Sequence, residues 1–186
     1  ALAIFREIAR FGEGFRQTKR IPPLKLRVGI HTGPVVVGSL GNDLRVEFNA
    51  VGDTVNLASR LESANKFFGT RLIVSEDTIS KTEQVFSTRD LGLIEVKGKS
   101  VPVRIFELIC EKQKVAREIE ETVVLFQKGT DLFKTRRWMD ALDVFNGILE
   151  KVPGDGPSGF YKKRCEHFLL NSPLTSESDI IKMAEK

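Results

Sequence analysis

The chain has 186 residues, 41% of them hydrophobic and 29% charged, a balance that excludes disorder, collagen-like repeats and disulfide-stapled scaffolds and suffices for one domain or two small ones. Its net charge of +4 falls wholly in residues 1–110, where 16 Lys and Arg face 12 Asp and Glu, against 13 and 13 in residues 111–186, and this split points to two modules. So modest an excess, without dense basic clusters or interleaved aromatics, speaks against a nucleic-acid partner, and no stretch is apolar enough to span a bilayer.

In chain order, Ile4, Phe5, Ile8, Phe11 and Phe15 recur at helical steps, so residues 1–19 read as a helix ended by Pro22-Pro23. The chain starts at Ala1 inside this pattern and reads as a piece of something longer, with membrane attachment expected only through upstream segments. Leu24, Leu26, Val28 and Ile30 alternate as a half-buried strand, and Thr32-Gly33-Pro34 is expected to turn it back as a hairpin into Val35-Val36-Val37. After a turn at Gly41-Asn42-Asp43, residues 45–51 form a third strand. A helix is expected over 54–68, with Val55, Leu57, Ala58, Leu61 and Ala64 inward and Gly69 as its stop. A short strand at 71–74, a helix opened by Ser75-Glu76-Asp77 and a hairpin of 86–96 with 101–109 complete an α/β or α+β pattern.

From Glu111 onward the strand signal vanishes. Helices are expected over 112–135, 137–152 and 158–170, with Val115, Ile119, Val123, Phe126 and Leu132 on one side of the first and Ser158 capping the third.

Few residue clusters suggest chemistry. Lys97-Gly98-Lys99-Ser100 ends like a phosphate-binding loop, but Leu93 stands where the first glycine is needed and no helix follows, so by itself it reads as a solvated turn. His31 and His167 have no companion ligands at metal spacing and read as structural, and Cys110 and Cys165 read as buried thiols of a reducing compartment. The informative segment is 46–63, where a strand ends at Gly52 and a helix begins. Asn56 and Arg60 stand four apart and share one helical face. An amide one turn from a forked guanidinium suits stabilisation of a developing phosphate charge; the competing reading is an exposed face with Arg60 paired to a carboxylate.

Three ordered blocks, Leu26-Arg27-Val28-Gly29-Ile30-His31-Thr32-Gly33, Val37-Gly38-Ser39-Leu40-Gly41 and the run Gly52 to Glu62, closely resemble the C-terminal part of the catalytic domain of class III adenylate/guanylate cyclases. The resemblance covers residues 1–110. It implies a ferredoxin-like α/β sandwich (α+β) that dimerises head to tail, with nucleotide sites between subunits. It also implies attack of a ribose 3′-hydroxyl on the α-phosphate of ATP, assisted by two divalent ions, Mg²⁺ or Mn²⁺. By motif match, Asn56 orients the ribose, Arg60 stabilises the pentavalent phosphate, Asn49 occupies the purine-reading position and Lys97 reaches the terminal phosphates. The two metal-binding aspartates of the family have no counterpart, since no Asp precedes Asp43; they are expected upstream, and the fragment alone is expected to be inactive. Pro34 stands where some members carry a phosphate-binding arginine.

The tail, 111–186, resembles a tetratricopeptide unit at Gly129, Ala141, Phe145 and Pro153. One such unit cannot form a solenoid, so a helical hairpin plus a third helix is expected, packed on the first module or on missing neighbours. The leading expectation is an adenylate cyclase fragment making cyclic AMP inside the cell, as a cytoplasmic domain, with GTP a weaker substrate candidate. The alternative is a non-catalytic cyclase-like module that binds nucleotide or a partner.

Overall fold

The structure, a computed structural model, describes residues 1–16, 25–42, 45–82, 85–96, 101–171 and 180–182. The elements are α1 (Leu2–Arg16), β1 (Val28–Ile30), β2 (Val36–Asn42), β3 (Arg45–Val51), α2 (Asp53–Phe68), β4 (Leu72–Ser75), α3 (Glu76–Ile79), β5 (Phe86–Glu95), β6 (Val103–Glu111), a 3₁₀ turn (Lys112–Lys114), α4 (Arg117–Lys134), α5 (Trp138–Lys151), α6 (Gly156–Leu170) and β7 (Ile180–Lys182). The turns expected around Pro22-Pro23, Asp43 and Lys97 lie outside the described residues.

The architecture is α+β. A five-stranded mixed sheet runs in the order β1-β4-β6-β5-β7, and β2 with β3 forms a separate two-stranded ribbon. The expected hairpin at Thr32-Gly33-Pro34 does not form. β1 pairs in parallel with β4, Val28 opposite Leu72, while β2 pairs antiparallel with β3, Val36 opposite Val51. Parallel partners need a long crossover, and here the ribbon and α2 together supply it. The hairpin of β5 and β6 matches expectation, with Gly92 opposite Ile105 beside a register shift.

α2 forms because Leu57, Leu61, Ala64 and Phe68 recur on one face and are buried, and Gly69 closes it in the left-handed conformation. Val55, expected inward, is exposed. On α4 the buried residues are Phe126, Gly129, Thr130 and Phe133; Phe126 is inward as expected, Val123 and Leu132 are half-buried, and Ile119 faces out. The cap of α6 is Asp155, which accepts from the Ser158 backbone N–H at 3.1 Å; Ser158 itself is buried. The tail is not wholly helical, because β7 returns to the sheet and pairs in parallel with β5. The principal core joins α2, β5 and Ile105 of β6 to Phe126, Phe133, Phe145, Tyr161, Cys165 and Ile181 of the tail. A smaller core packs Leu2 and Phe5 of α1 against Leu72, Val74 and Leu108.

Candidate active site

The strand-to-helix corner is built at Gly52, whose φ of 140° only glycine adopts without strain. Its carbonyl accepts from the backbone N–H groups of Val55 and Asn56 at 3.1 and 3.2 Å, and Asp53 in the first turn complements the helix dipole. With the Leu57–Leu61 stripe turned inward, Asn56 is left exposed and Arg60 half-buried, one turn apart.

The rest of α2 is pinned to its surroundings. Thr54 Oγ1 donates to the Pro34 carbonyl at 2.6 Å, tying the helix start to the loop after β1. Asn65 lies fully within the core and donates to the Val28 carbonyl at 3.1 Å. Between these points a Cβ on Gly29 would stand 2.2 Å from the backbone nitrogen of Glu62, so helix and strand touch backbone to backbone only because residue 29 is glycine. Sequence reasoning missed Thr54 and Asn65; for Asn65 the signal was its spacing of four from Leu61, which places an amide beside the apolar stripe.

His31 serves the same scaffold. Its Nδ1 shares a 2.8 Å hydrogen bond with Ser75 Oγ, which meets Thr78 Oγ1 at 3.2 Å, and Thr32 Oγ1 meets the same Thr78 hydroxyl at 3.1 Å. These bonds hold the loop after β1 against the start of α3. Ser75 precedes α3 without capping it, its hydroxyl being spent on this network. His167 packs near the Phe168 ring in the tail, 5.7 Å between centroids.

The competing reading of Arg60, an ion pair to a carboxylate, finds no support: among the described residues no carboxylate lies within ion-pairing distance of it. Asn49 is exposed on β3, opposite Gly38. Asn49, Asn56 and Arg60 thus lie on one continuous segment, the first on the ribbon and the others on the free face of α2. Lys97 lies outside the described residues. No three His, Cys, Asp or Glu gather where they could hold an ion among the described residues. Around the segment lies a run of exposed apolar side chains, with Phe48 76% and Val36 69% exposed and Val35, Val37, Val51 and Val55 also open.

Residues 6–114 match the family described as the adenylate and guanylate cyclase catalytic domain. The chain is similar to the terminal-differentiation specific adenylate cyclase of Dictyostelium discoideum, 34% identical over 150 residues, which covers 78% of this chain and 7% of that protein. It is also similar to adenylate cyclase 1 of Rhizobium meliloti, 38% identical over 109 residues, 59% of this chain and 16% of that protein. The chain therefore spans well under a fifth of these curated relatives. Among solved structures, the crystal structure of the adenylyl cyclase CyaB from P. aeruginosa superposes with a TM-score of 0.53 at 34% identity, covering 62% of this chain and 58% of that one. The Dictyostelium match is longer than residues 6–114 can hold, so it runs into the tail.

Proposed function

The chain belongs to the adenylate and guanylate cyclase catalytic domain family, and on that premise we propose that the protein containing it converts ATP to 3′,5′-cyclic AMP and pyrophosphate. The ribose 3′-oxygen forms a bond to the α-phosphorus and gives up its proton, and the bond from that phosphorus to the pyrophosphate oxygen breaks. The observation that carries this reading is Arg60, a fixed positive charge with no ion-pair partner among the described residues, one turn from Asn56 on the free face of a helix otherwise pinned in place. A guanidinium so placed offers two donors to equatorial phosphate oxygens as charge builds there. Asn56 orients the ribose, Asn49 meets the purine and Lys97 reaches the terminal phosphates. Divalent ions belong to the complete site, their ligands lying outside this set of residues.

The exposed apolar ribbon beside the site supports a head-to-tail homodimer, in which a second copy covers Phe48 and Val36 and closes the nucleotide site. In the tail, a Cβ on Gly129 would stand 2.7 Å from the Phe145 ring, and this close approach of α4 and α5 supports a single tetratricopeptide-like hairpin. No described helix is long and apolar enough to cross a membrane; we place the domain in the cytoplasm, where ATP is supplied.

The test is cyclic AMP formation by the full-length protein from ATP with Mg²⁺ or Mn²⁺. Arg60→Ala is expected to lower kcat by roughly 10²–10³-fold with KM little changed. An unchanged kcat returns Arg60 to a surface role and leaves a non-catalytic nucleotide- or partner-binding module as the reading.

A further inference from the structure

We propose that the helical tail is a layer of the catalytic fold that sets the position of α2, and that Asp155 is the positioning residue that joins the two. The proposal rests on the cyclase reading for its kinetic arm alone. A tail that only recruited partners would carry its own core and touch the sheet lightly. Here the buried face of α2 and the buried residues of α4, α5 and α6 belong to a single apolar cluster.

The joint is specific. The start of α6 abuts the end of α2 so closely that a Cβ on Gly156 would stand 2.3 Å from the Phe68 carbonyl oxygen and 2.8 Å from Gly69 Cα. One residue earlier, Asp155 carries two duties. Its Oδ2 accepts from the Ser158 N–H and caps α6, while its Oδ1 accepts from Arg89 Nη1 at 2.7 Å. Arg89 also donates to Glu107 Oε2 through Nε at 2.9 Å and lies over the Phe126 ring, 4.9 Å from its centroid. The Arg89 and Asp155 side chains are 7% and 8% exposed. A desolvated pair of this kind tolerates little displacement, because either charge left alone is costly. Tyr161, six residues beyond Asp155 on α6, donates its hydroxyl to the Leu91 carbonyl at 2.9 Å and fixes the same helix to β5.

α2 is therefore held at its start by Thr54, in its second half by Asn65 and at its end by the tail. Loosening the third point leaves Asn65 alone to hold the second half of α2 against the sheet, so the helix swings about its Thr54 end and carries Arg60 with it. A shifted guanidinium loses contacts made as the phosphate becomes pentavalent before it loses ground-state binding, so kcat falls and KM holds.

Four variants of the full-length protein test this: Asp155→Asn, which keeps an oxygen to cap α6 but removes the charge facing Arg89; Gly156→Ala; Val124→Ala on the exposed outer side of α4; and Asp155→Glu, which restores the charge. Amide hydrogen exchange across residues 53–68 is expected to accelerate roughly tenfold or more in the first two and not in the third, with residues 138–151 unchanged. Cyclic AMP formation is expected to show kcat reduced about tenfold at nearly constant KM in Asp155→Asn, with partial recovery in Asp155→Glu. Unchanged exchange in α2, or acceleration spread evenly over the chain, overturns the positioning role. A loss of kcat in Val124→Ala equal to that in Asp155→Asn overturns it in favour of partner recruitment. If the wild-type protein makes no cyclic nucleotide, the cyclase reading fails, and the exchange arm still decides the role of the tail.

Discussion

Asn65 of α2 and Val28 of β1, 37 residues apart, are joined by a hydrogen bond from the Asn65 amide to the Val28 carbonyl at 3.1 Å, made from a side chain only 1% exposed. The same nitrogen faces the carbonyls of Leu61 and Glu62 at 3.0 and 3.1 Å, and Asn65 Oδ1 accepts from Thr70 Oγ1 at 2.8 Å. Every polar atom of the amide is thus used inside the core. Asn65→Ala removes these bonds and leaves the Thr70 hydroxyl and the Val28 carbonyl without them. An orphaned buried group costs about 1–3 kcal/mol, so a loss of roughly 2–4 kcal/mol is expected, read as a lower urea midpoint. A variant within 0.5 kcal/mol of wild type, a threshold on the order of ordinary surface substitutions, would show that water replaces the amide freely.

Two glycines give opposite expectations for one substitution. At Gly29 the new methyl group meets the backbone of Ala58, Leu61 and Glu62 within 2.2–2.7 Å, and backbone on both sides cannot rotate away. Gly29→Ala is expected to force α2 off β1 at a cost of about 3 kcal/mol or more, and to abolish cyclase activity with it. At Gly147, inside α5, nothing lies within 4 Å of the added carbon. There the gain in helix propensity should stabilise by roughly 0.5–1 kcal/mol. Thermal unfolding of the two variants side by side checks both signs.

What the sequence made legible follows from how local each signal is. α2 could be placed to within a residue of its observed start, since the spacing of Leu57, Leu61 and Ala64, the corner at Gly52 and the stop at Gly69 all lie inside one stretch. The shared face of Asn56 and Arg60 came with it. Alternation also located β1 but gave it the wrong partner, Val35-Val36-Val37, because the parallel pairing with β4 depends on a crossover more than 40 residues long. Val36 and Val37 lie open on the ribbon, since apolar character does not say whether this chain or another one covers it. The three residues of β7 were too few to show a period, and Arg89 and Asp155, 66 apart, carry no local signal of their pairing.

The tail core carries a pH signature. Burial pushes the Cys165 thiol from 9.0 up to about 12, with Glu166 adding to the rise and Arg164 opposing it. Above pH 9 the unfolded chain releases this proton and the folded chain keeps it, so the native state binds more protons and stability falls as pH rises toward 12. The slope attributable to this thiol approaches roughly 1 kcal/mol per pH unit in that window. Cys165→Ala should be less stable at pH 7, from the lost packing, yet show a flatter decline between pH 9 and 11. Some slope should persist, because burial and Glu111 raise the Cys110 thiol in the same direction. Urea unfolding of both proteins across that range checks this; parallel declines would mean that Cys165 ionises as freely in the folded protein as in the unfolded one.

Asn49 stands exposed on β3, where it is free to meet a base edge, and its amide both donates and accepts. Adenine presents an amine at its 6-position and guanine a carbonyl, and an asparagine can turn its side chain to suit either. An ionised aspartate at the same place only accepts, so it favours the adenine amine and repels the guanine oxygen. Full-length protein is therefore expected to prefer ATP over GTP only modestly through this residue. Asn49→Asp should raise the ratio of kcat/KM for ATP to that for GTP by about tenfold, the discrimination one hydrogen-bonding contact supplies when its alternative is left unpaired. Kinetics with both nucleotides in both proteins give the answer. A strong GTP preference in the parent would sink the assignment as an adenylate cyclase, and a fall in ATP selectivity in Asn49→Asp would show that another residue reads the 6-position.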